Sequence, residues 1–143
     1  MSIIEWRDDY SVGIQEIDEE HKQLVKLINE LNEAIVMGSK REKVEIVFAE
    51  LIDYTRIHFA VEEALMRVVH YKRYDEHKAI HDEITKQVII FQNKFNSGQQ
   101  QSAAELMNFL VNWLFNHINQ VDKMYVDTFV KAGLQRKWYR KFW

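Results

Sequence analysis

The stretch REKVEIVFAELIDYTRIHFAVEEALMRV, residues 41–68, decides the fold class of this chain. It contains no glycine and no proline, the residues that most strongly disfavour a helix. Its inward positions recur at steps of three and four, the period of a helix with one buried face. They are Val44, Phe48, Leu51, Thr55, His58, Glu62 and Leu65. The stretch therefore predicts a long helix that carries a histidine and a glutamate among its core positions.

Three further segments, residues 18–37, 74–95 and 102–132, show the same period, and Asp18 is the predicted N-cap of the first. Their inward positions are His21, Leu24, Ile28, Leu31 and Ile35, then Tyr74, His77, His81, Ile84, Val88, Phe91 and Phe95, then Leu106, Leu110, Trp113, Leu114, His117, Val121, Tyr125 and Phe129. Gly38 ends the first helix and Asn96-Ser97-Gly98 ends the third. Long helices with short connections pack as antiparallel neighbours. The sequence thus predicts an all-α, antiparallel up-down-up-down four-helix bundle.

The two ends of the chain differ from the bundle. Residues 1–17 form a predicted arm whose apolar side chains lie along the bundle, and residues 133–143 form a short tail rich in basic and aromatic residues. With 143 residues, of which 47% are hydrophobic, the chain is long enough for one sizeable core. We therefore predict a single domain over 1–143, with the bundle at about 18–132.

Charge and composition exclude several classes of protein. The net charge is −3, but the tail holds four cations and no acid, which leaves −7 on residues 1–132. An acidic body argues against nucleic-acid binding. The absence of cysteine excludes disulfides and thiolate metal sites. The sequence shows neither a signal peptide nor a transmembrane segment, and we expect a cytoplasmic protein.

Five of the six histidines lie on inward faces, namely His21, His58, His77, His81 and His117. Buried imidazoles need hydrogen-bond partners, and the acids near them are Glu62 and Asp122. In an alternating bundle, the starts of helices one and three lie level with the ends of helices two and four. All seven groups therefore reach one depth, where a metal centre satisfies them together.

The donor types narrow the metal. Imidazole and carboxylate without thiolate suit iron, zinc, manganese or copper. Seven donors exceed the need of one ion, whereas two ions with two bridging carboxylates account for the count. The set suggests a non-haem di-iron centre.

Helix four poses a geometric question, because His117 and Asp122 are five residues apart. In a regular helix they point about 140° away from each other. We expect them to straddle the inward direction of a regular helix rather than to meet across a π-bulge. Glu63 and Asp127 lie outside the ligand pattern, and we expect their amide variants to bind iron normally.

These motifs resemble the hemerythrin family, in its single-domain bacteriohemerythrin form, over about residues 3–130. They are Trp6…Tyr10-Ser-Val-Gly-Ile14…Ile17-Asp18, His21-Lys-Gln-Leu24, His58-Phe-Ala-Val-Glu62-Glu, His77-x-x-x-His81 and Trp113-Leu-x-x-His117-Ile-x-x-x-Asp122-x-x-Tyr125. All seven ligand positions of the family are filled. Where the family usually has a Gly-Tyr-Pro turn, this chain has His70-Tyr71-Lys72. His70 is predicted to be a solvated loop residue.

The resemblance implies a function and a ligand assignment. Two iron ions with an oxo or hydroxo bridge would bind dioxygen reversibly, for storage, delivery or transport, without enzymatic activity. One iron would be held by His77, His81 and His117, the other by His21 and His58, and both would be bridged by Glu62 and Asp122. The apolar oxygen pocket and the residues around it would be Leu24, Phe59, Trp113, Leu114, Ile118 and, behind a ligand, Tyr125.

Other functions use the same residues. Sensing of oxygen or nitric oxide and iron buffering remain open alternatives. A di-iron oxidase is disfavoured because no Glu-x-x-His motif occurs, and a haem bundle would leave most of these donors unused. An oxygen-consuming enzyme is a candidate partner. The tail either caps the bundle or docks to an acidic partner or a membrane surface.

Overall fold

The computed structural model describes residues 3–98 and 102–133, and within them all regular structure is helical. The helices are α1 (Gln15–Val36), α2 (Arg41–Val68), α3 (Tyr74–Asn96), α4 (Ser102–Asn116) and α5 (Val126–Lys131), with a π-helical turn at His117–Val121 and 3-10 turns at Asp8–Tyr10 and Asp122–Tyr125. Helix α1 packs on α2, α2 on α3, α3 on α4 and α4 on α1. The predicted four-helix bundle is confirmed. Its fourth helix is divided into α4, the π-helical turn, the 3-10 turn that follows it, and α5.

Two apolar clusters fill the bundle, and buried polar residues separate them along the chain. The larger cluster includes Leu24 and Phe59, and the smaller one includes Ile17 and Met66. In α1, and again in α2, buried polar residues follow one cluster and precede the other. The polar layer is thus enclosed by apolar side chains on both sides.

The N-terminal arm lies along the bundle, as predicted. The amides of Ile3 and Ile4 both donate to Oδ1 of Asn29, at 3.0 and 3.1 Å, and Nδ2 of Asn29 donates to the carbonyl of Ile4 at 2.7 Å. The ring of Tyr10 is buried and contacts Phe115 edge-on, with centroids 5.0 Å apart. The side chain of Asn29 thus accepts hydrogen bonds from the backbone of the arm and also donates one to it. These bonds fix the position of the arm on α1.

The predicted N-cap of the first helix is wrong. Helix α1 begins at Gln15, with Ile14 as its N-cap, so Asp18 lies inside the first turn. Asp18 is buried, and its carboxylate accepts hydrogen bonds from the hydroxyl of Ser11 and from the amide of Val12 at 2.9 Å. The carboxylate folds back onto the arm because the amides there lack helical partners. It therefore fastens the arm to the helix instead of starting the helix.

The expected regular course of helix four is also wrong. The amide of Asp122 donates to the carbonyl of His117, five residues earlier, which closes a π-helical turn over His117–Val121. One extra residue per turn brings side chains five apart onto one face. Nε2 of His117 accordingly lies 2.9 Å from Oδ1 of Asp122. The bulge, not a straddling arrangement, lets one helix contribute both donors.

The turn between α2 and α3 places a histidine in a left-handed conformation. His70 is exposed, as predicted, and has φ of +57°. Its amide donates to the carbonyl of Arg67 at 3.2 Å, and the amide of Tyr71 donates to the carbonyl of Met66 at 2.9 Å. This is the Schellman pattern of a helix end, in which glycine is the favoured residue at the left-handed position. Tyr71 and Met66 are both buried in the smaller cluster, which locks the turn.

Replacing His70 with glycine is expected to stabilise the protein. The left-handed conformation costs a non-glycine residue about 1–2 kcal/mol, and the extra freedom of glycine in the unfolded chain offsets part of that gain. We expect His70→Gly to raise the free energy of unfolding by about 0.5–1 kcal/mol in urea titrations. The control is Lys72→Gly in the same exposed turn, where φ is not positive. An equal gain in both variants, or a loss in His70→Gly, would show that the turn is not strained.

Candidate metal centre

The seven predicted donors meet in one buried layer. Four helical segments supply them: α1 gives His21, α2 gives His58 and Glu62, α3 gives His77 and His81, and the π-helical and 3-10 turns after α4 give His117 and Asp122. None of the seven side chains is more than 4% exposed. The depth argument made from helix direction alone therefore placed the predicted donors at a common level.

The donor atoms form two groups that share both carboxylates. One group contains Glu62, His77, His81, His117 and Asp122, and the other contains His21, His58, Glu62 and Asp122. Within each group the atoms all lie within 4.8 Å of one another. The layer therefore consists of two adjacent groups of possible metal ligands that have two carboxylates in common.

The three-histidine group is tightly converged. Nε2 of His77 lies 3.0 Å and Nε2 of His117 lies 2.9 Å from Oδ1 of Asp122. Nε2 of His81 lies 3.1 Å from Nε2 of His117 and 3.5 Å from Oε1 of Glu62. The Nε2 atoms of three histidines and two carboxylate oxygens therefore converge on one small region, as the ligands of a metal ion do.

The two-histidine group is built from α1 and α2. Nε2 of His21 lies 3.1 Å from Oδ2 of Asp122, and Nε2 of His58 lies 2.9 Å from Oε1 of Glu62. The two imidazole rings meet edge-on, with centroids 4.7 Å apart. This group holds one histidine fewer than its neighbour, so a metal ion there has room for an additional ligand.

Unpaired polar atoms test whether the layer fits a metal. Nine buried side-chain nitrogen or oxygen atoms among the described residues form no hydrogen bond of acceptable geometry, and eight of them belong to six of the seven donors. The ninth is the indole nitrogen of Trp113. Each unpaired buried polar group destabilises a fold by about 1–3 kcal/mol. Such a concentration is explained by cations that these atoms coordinate, so the residues fit a metal centre.

The electrostatics of the layer also call for positive charge. Burial alone would lower the pKa of His58, but the carboxylates of Glu62 and Glu20 outweigh it and raise that pKa to about 10. Burial lowers the pKa of His81 to about 3, and neighbouring imidazoles add to this effect. The pKa of Asp122 lies well below its usual range because burial is outweighed by the histidines around it. Divalent cations supply the charge that protons otherwise bring to these carboxylates, since a bound metal requires deprotonated donors.

Three groups hold the donors from behind. The hydroxyl of Tyr125 donates to Oε2 of Glu62 at 2.6 Å, and the tyrosine is fully buried. Oε1 of Glu20 lies 2.8 Å from Nδ1 of His58. Carboxylate partners of this kind orient metal-binding histidines.

Glu63 is the third of these groups, and it belongs to neither group of donors, as expected. Its Oε2 lies 2.9 Å from Nδ1 of His81, so Glu63 contacts a donor from behind. Asp127, by contrast, is exposed as expected. Sequence reasoning missed Glu20 and Glu63 because both lie at partly exposed positions, off the inward face of their helices. The only available signal was that each stands next to a predicted donor.

The predicted oxygen pocket is apolar and buried. Leu24, Leu114 and Ile118 are each no more than 2% exposed. The ring of Phe59 stacks on the imidazole of His81, with centroids 3.7 Å apart and planes 6° apart, and meets Trp113 edge-on at 5.7 Å. These five side chains belong to the larger apolar cluster. The structure thus brings aromatic and aliphatic groups against the histidine layer.

Comparison with known proteins agrees with this geometry. The family model described as the Hemerythrin HHE cation binding domain matches residues 12–129. The chain is 40% identical over 127 residues to a bacteriohemerythrin of Pseudomonas aeruginosa, which covers 89% of this chain and 82% of that protein. It is 38% identical over 136 residues to a bacteriohemerythrin of Stenotrophomonas maltophilia, with 95% and 87% covered.

The fold shows the same likeness. A crystal structure of wild-type hemerythrin superimposes with a TM-score of 0.80 and 29% sequence identity, over 88% of this chain and 97% of that one. The four-helix arrangement is thus shared with a solved structure of similar length.

Proposed function

The chain belongs to the hemerythrin family, and from this premise we propose that it binds dioxygen reversibly at a centre of two non-haem iron ions. The observation that carries the proposal is the division of the donors into two groups that share Glu62 and Asp122. A single ion needs no such division. Two ions with common carboxylates use every donor in the layer.

The proposed ligand assignment follows the two groups. His77, His81 and His117 hold one iron, and His21 and His58 hold the other. Glu62 and Asp122 would be shared by both ions, with an oxo or hydroxo group as the further shared ligand. The ion held by fewer histidines would have room for dioxygen as an additional ligand. This assignment is supported by the distances within each group.

The iron pair, when bound, supplies the electrons that dioxygen accepts and returns. The protein's task is to keep that exchange reversible. Neutral imidazoles limit the negative charge of the site and so favour ferrous iron. Apolar side chains keep out the water and protons that would drive the exchange to completion. We propose this role for Leu24, Phe59, Trp113, Leu114 and Ile118, while Tyr125 holds the far oxygen of Glu62.

A binding protein fits this site better than an enzyme. Di-iron oxidases of bundle architecture use Glu-x-x-His motifs, and the sequence has none. We therefore propose storage, delivery or transport of oxygen, without catalysis.

The partner, the location and the role of the tail remain predictions from the sequence. We propose an oxygen-consuming enzyme as the partner, a cytoplasmic location, and docking through the tail. Residues 134–143 of the tail lie outside the described part of the chain. Within the described residues, none of the helices combines the length and the apolar character that crossing a membrane requires.

Stoichiometry tests the proposal. We expect the protein, loaded anaerobically with ferrous iron, to hold two iron ions per chain and to take up one dioxygen, measured by metal analysis and an oxygen electrode. One ion per chain, or zinc that iron does not displace, would contradict the paired centre. Oxygen consumption that continues beyond one equivalent in the presence of a reductant would point to an oxidase instead.

A further inference from the structure

Two partly exposed glutamates contact histidines of the buried layer from its outer side. Oε1 of Glu20, on α1, lies 2.8 Å from Nδ1 of His58 on α2. Oε2 of Glu63, on α2, lies 2.9 Å from Nδ1 of His81 on α3. Each glutamate is thus carried by one helix and reaches a histidine of the next. The two contacts connect α1 to α2 and α2 to α3 at the depth of the metal centre.

The two glutamate–histidine contacts are divided between the two groups of donors, with one contact in each group. His58 belongs to the two-histidine group and His81 to the three-histidine group. The Nδ1 atoms of His21 and His117, by contrast, form no hydrogen bond with any described residue. Of these four histidines, one in each group has a carboxylate at Nδ1 and one has none.

A carboxylate at Nδ1 has a defined chemical effect on an imidazole. It fixes the proton on Nδ1, leaves the lone pair on Nε2, and makes Nε2 a stronger donor. Nε2 of His58 indeed faces Oε1 of Glu62 at 2.9 Å, on the inner side of the ring. The side chains of Glu20 and Glu63 are 23% and 15% exposed, so both glutamates lie at the edge of the buried layer.

We propose that Glu20 and Glu63 are positioning residues, each of which sets the orientation and the donor strength of one histidine in one metal subsite. This inference rests on the proposed di-iron centre. It adds that the affinity and the reduction potential of each iron are controlled by a separate glutamate on the outside of the bundle.

The test measures iron affinity by competition with a ferrous chelator under anaerobic conditions. Replacing one supporting partner of a metal-binding histidine weakens metal affinity by about 10- to 100-fold. We expect Glu20→Ala and Glu63→Ala each to weaken one of the two bound ions by that factor. Glu20→Gln and Glu63→Gln should lose less, because the amide oxygen still accepts the hydrogen bond.

The reduction potential separates positioning from mere packing. The glutamine variants keep the shape of the side chain but remove its negative charge. That charge stabilises ferric iron relative to ferrous iron. Their potentials should therefore rise above that of the parent, whereas loss of packing alone would change only the unfolding midpoint. Glu16→Gln and Glu50→Gln are controls, since both are exposed acids on the same two helices.

Distinct results separate the inference from the function it rests on. Parent-like affinity and potential in all four variants would overturn the inference and leave the di-iron centre standing. A parent protein that does not hold two iron ions would overturn both. Loss of one ion in either alanine variant, with unchanged controls, would support the assignment.

Discussion

Glu62→Gln is expected to destroy the paired metal centre and to leave at most one iron ion per chain. Oε1 of Glu62 faces Nε2 of His58 at 2.9 Å and Nε2 of His81 at 3.5 Å, so one oxygen addresses histidines of both groups. A neutral amide cannot bridge two cations well. The side chain of Glu62 is fully buried, so solvent does not compensate for the loss of its negative charge.

The matched control is Glu50→Gln, an exposed glutamate on the same helix α2. Iron is counted per folded chain after anaerobic loading, with helix content checked by circular dichroism. Asp122→Asn and Asp127→Asn form a second pair, one buried and one exposed. Full loading of Glu62→Gln with two ions would mean that Glu62 is not a bridging ligand.

Leu114→Ala is expected to shorten the lifetime of the oxygen-binding state as well as to destabilise the fold. Shortening a buried leucine costs about 2–5 kcal/mol, wherever it lies in the core. Leu114 also stands three residues before the donor His117, at the wall of the proposed pocket. A cavity there admits water and protons beside the iron pair, so oxidation of the iron should compete with release of oxygen.

Leu106→Ala provides a close control for this effect. Both leucines lie on α4, both are 2% exposed, and about 12 Å of helix separates them. The measurement is the decay of the oxygen-dependent absorption band in air-saturated buffer, where both variants remain folded. We expect several-fold faster decay in Leu114→Ala. Equal decay rates would make Leu114 a packing residue only and would place the pocket elsewhere.

Periodicity in the sequence predicted the elements that depend on burial. The bounds of α2 agree with the prediction at both ends, because Val44 to Leu65 repeat without a break. The donor layer was equally predictable, since histidines on inward faces of alternating helices have few other partners. Both features follow from the simple cost of exposing apolar groups or burying unpaired polar ones.

Features set by local competition for hydrogen bonds were not predictable in this way. Asp18 has the residue type and the position of a helix cap, yet its carboxylate accepts hydrogen bonds from one amide and one hydroxyl of the arm. The π-helical turn at His117–Val121 leaves no periodic trace, because Ile118 is buried in a regular helix as well as in a bulged one. The five-residue spacing between His117 and Asp122 indicates two possible geometries but does not decide between them.

Glu63 shows a further limit of sequence patterns. It lies beside Glu62, on a partly exposed position that is typical of a solvated acid. Its contact with His81 depends on how α2 and α3 pack, which no single helix pattern contains. Residues that contact the donors from behind can therefore be identified only from the packed bundle.

Reversible oxygen binding is tested most directly by optical absorption of the iron-loaded protein through repeated cycles of air and argon. The protein is loaded with ferrous iron without oxygen and then exposed to air. We predict an intense visible charge-transfer band that forms in air, disappears under argon, and returns with little loss over several cycles. A band that fails to form, or a single irreversible conversion to ferric protein, would contradict the proposed function.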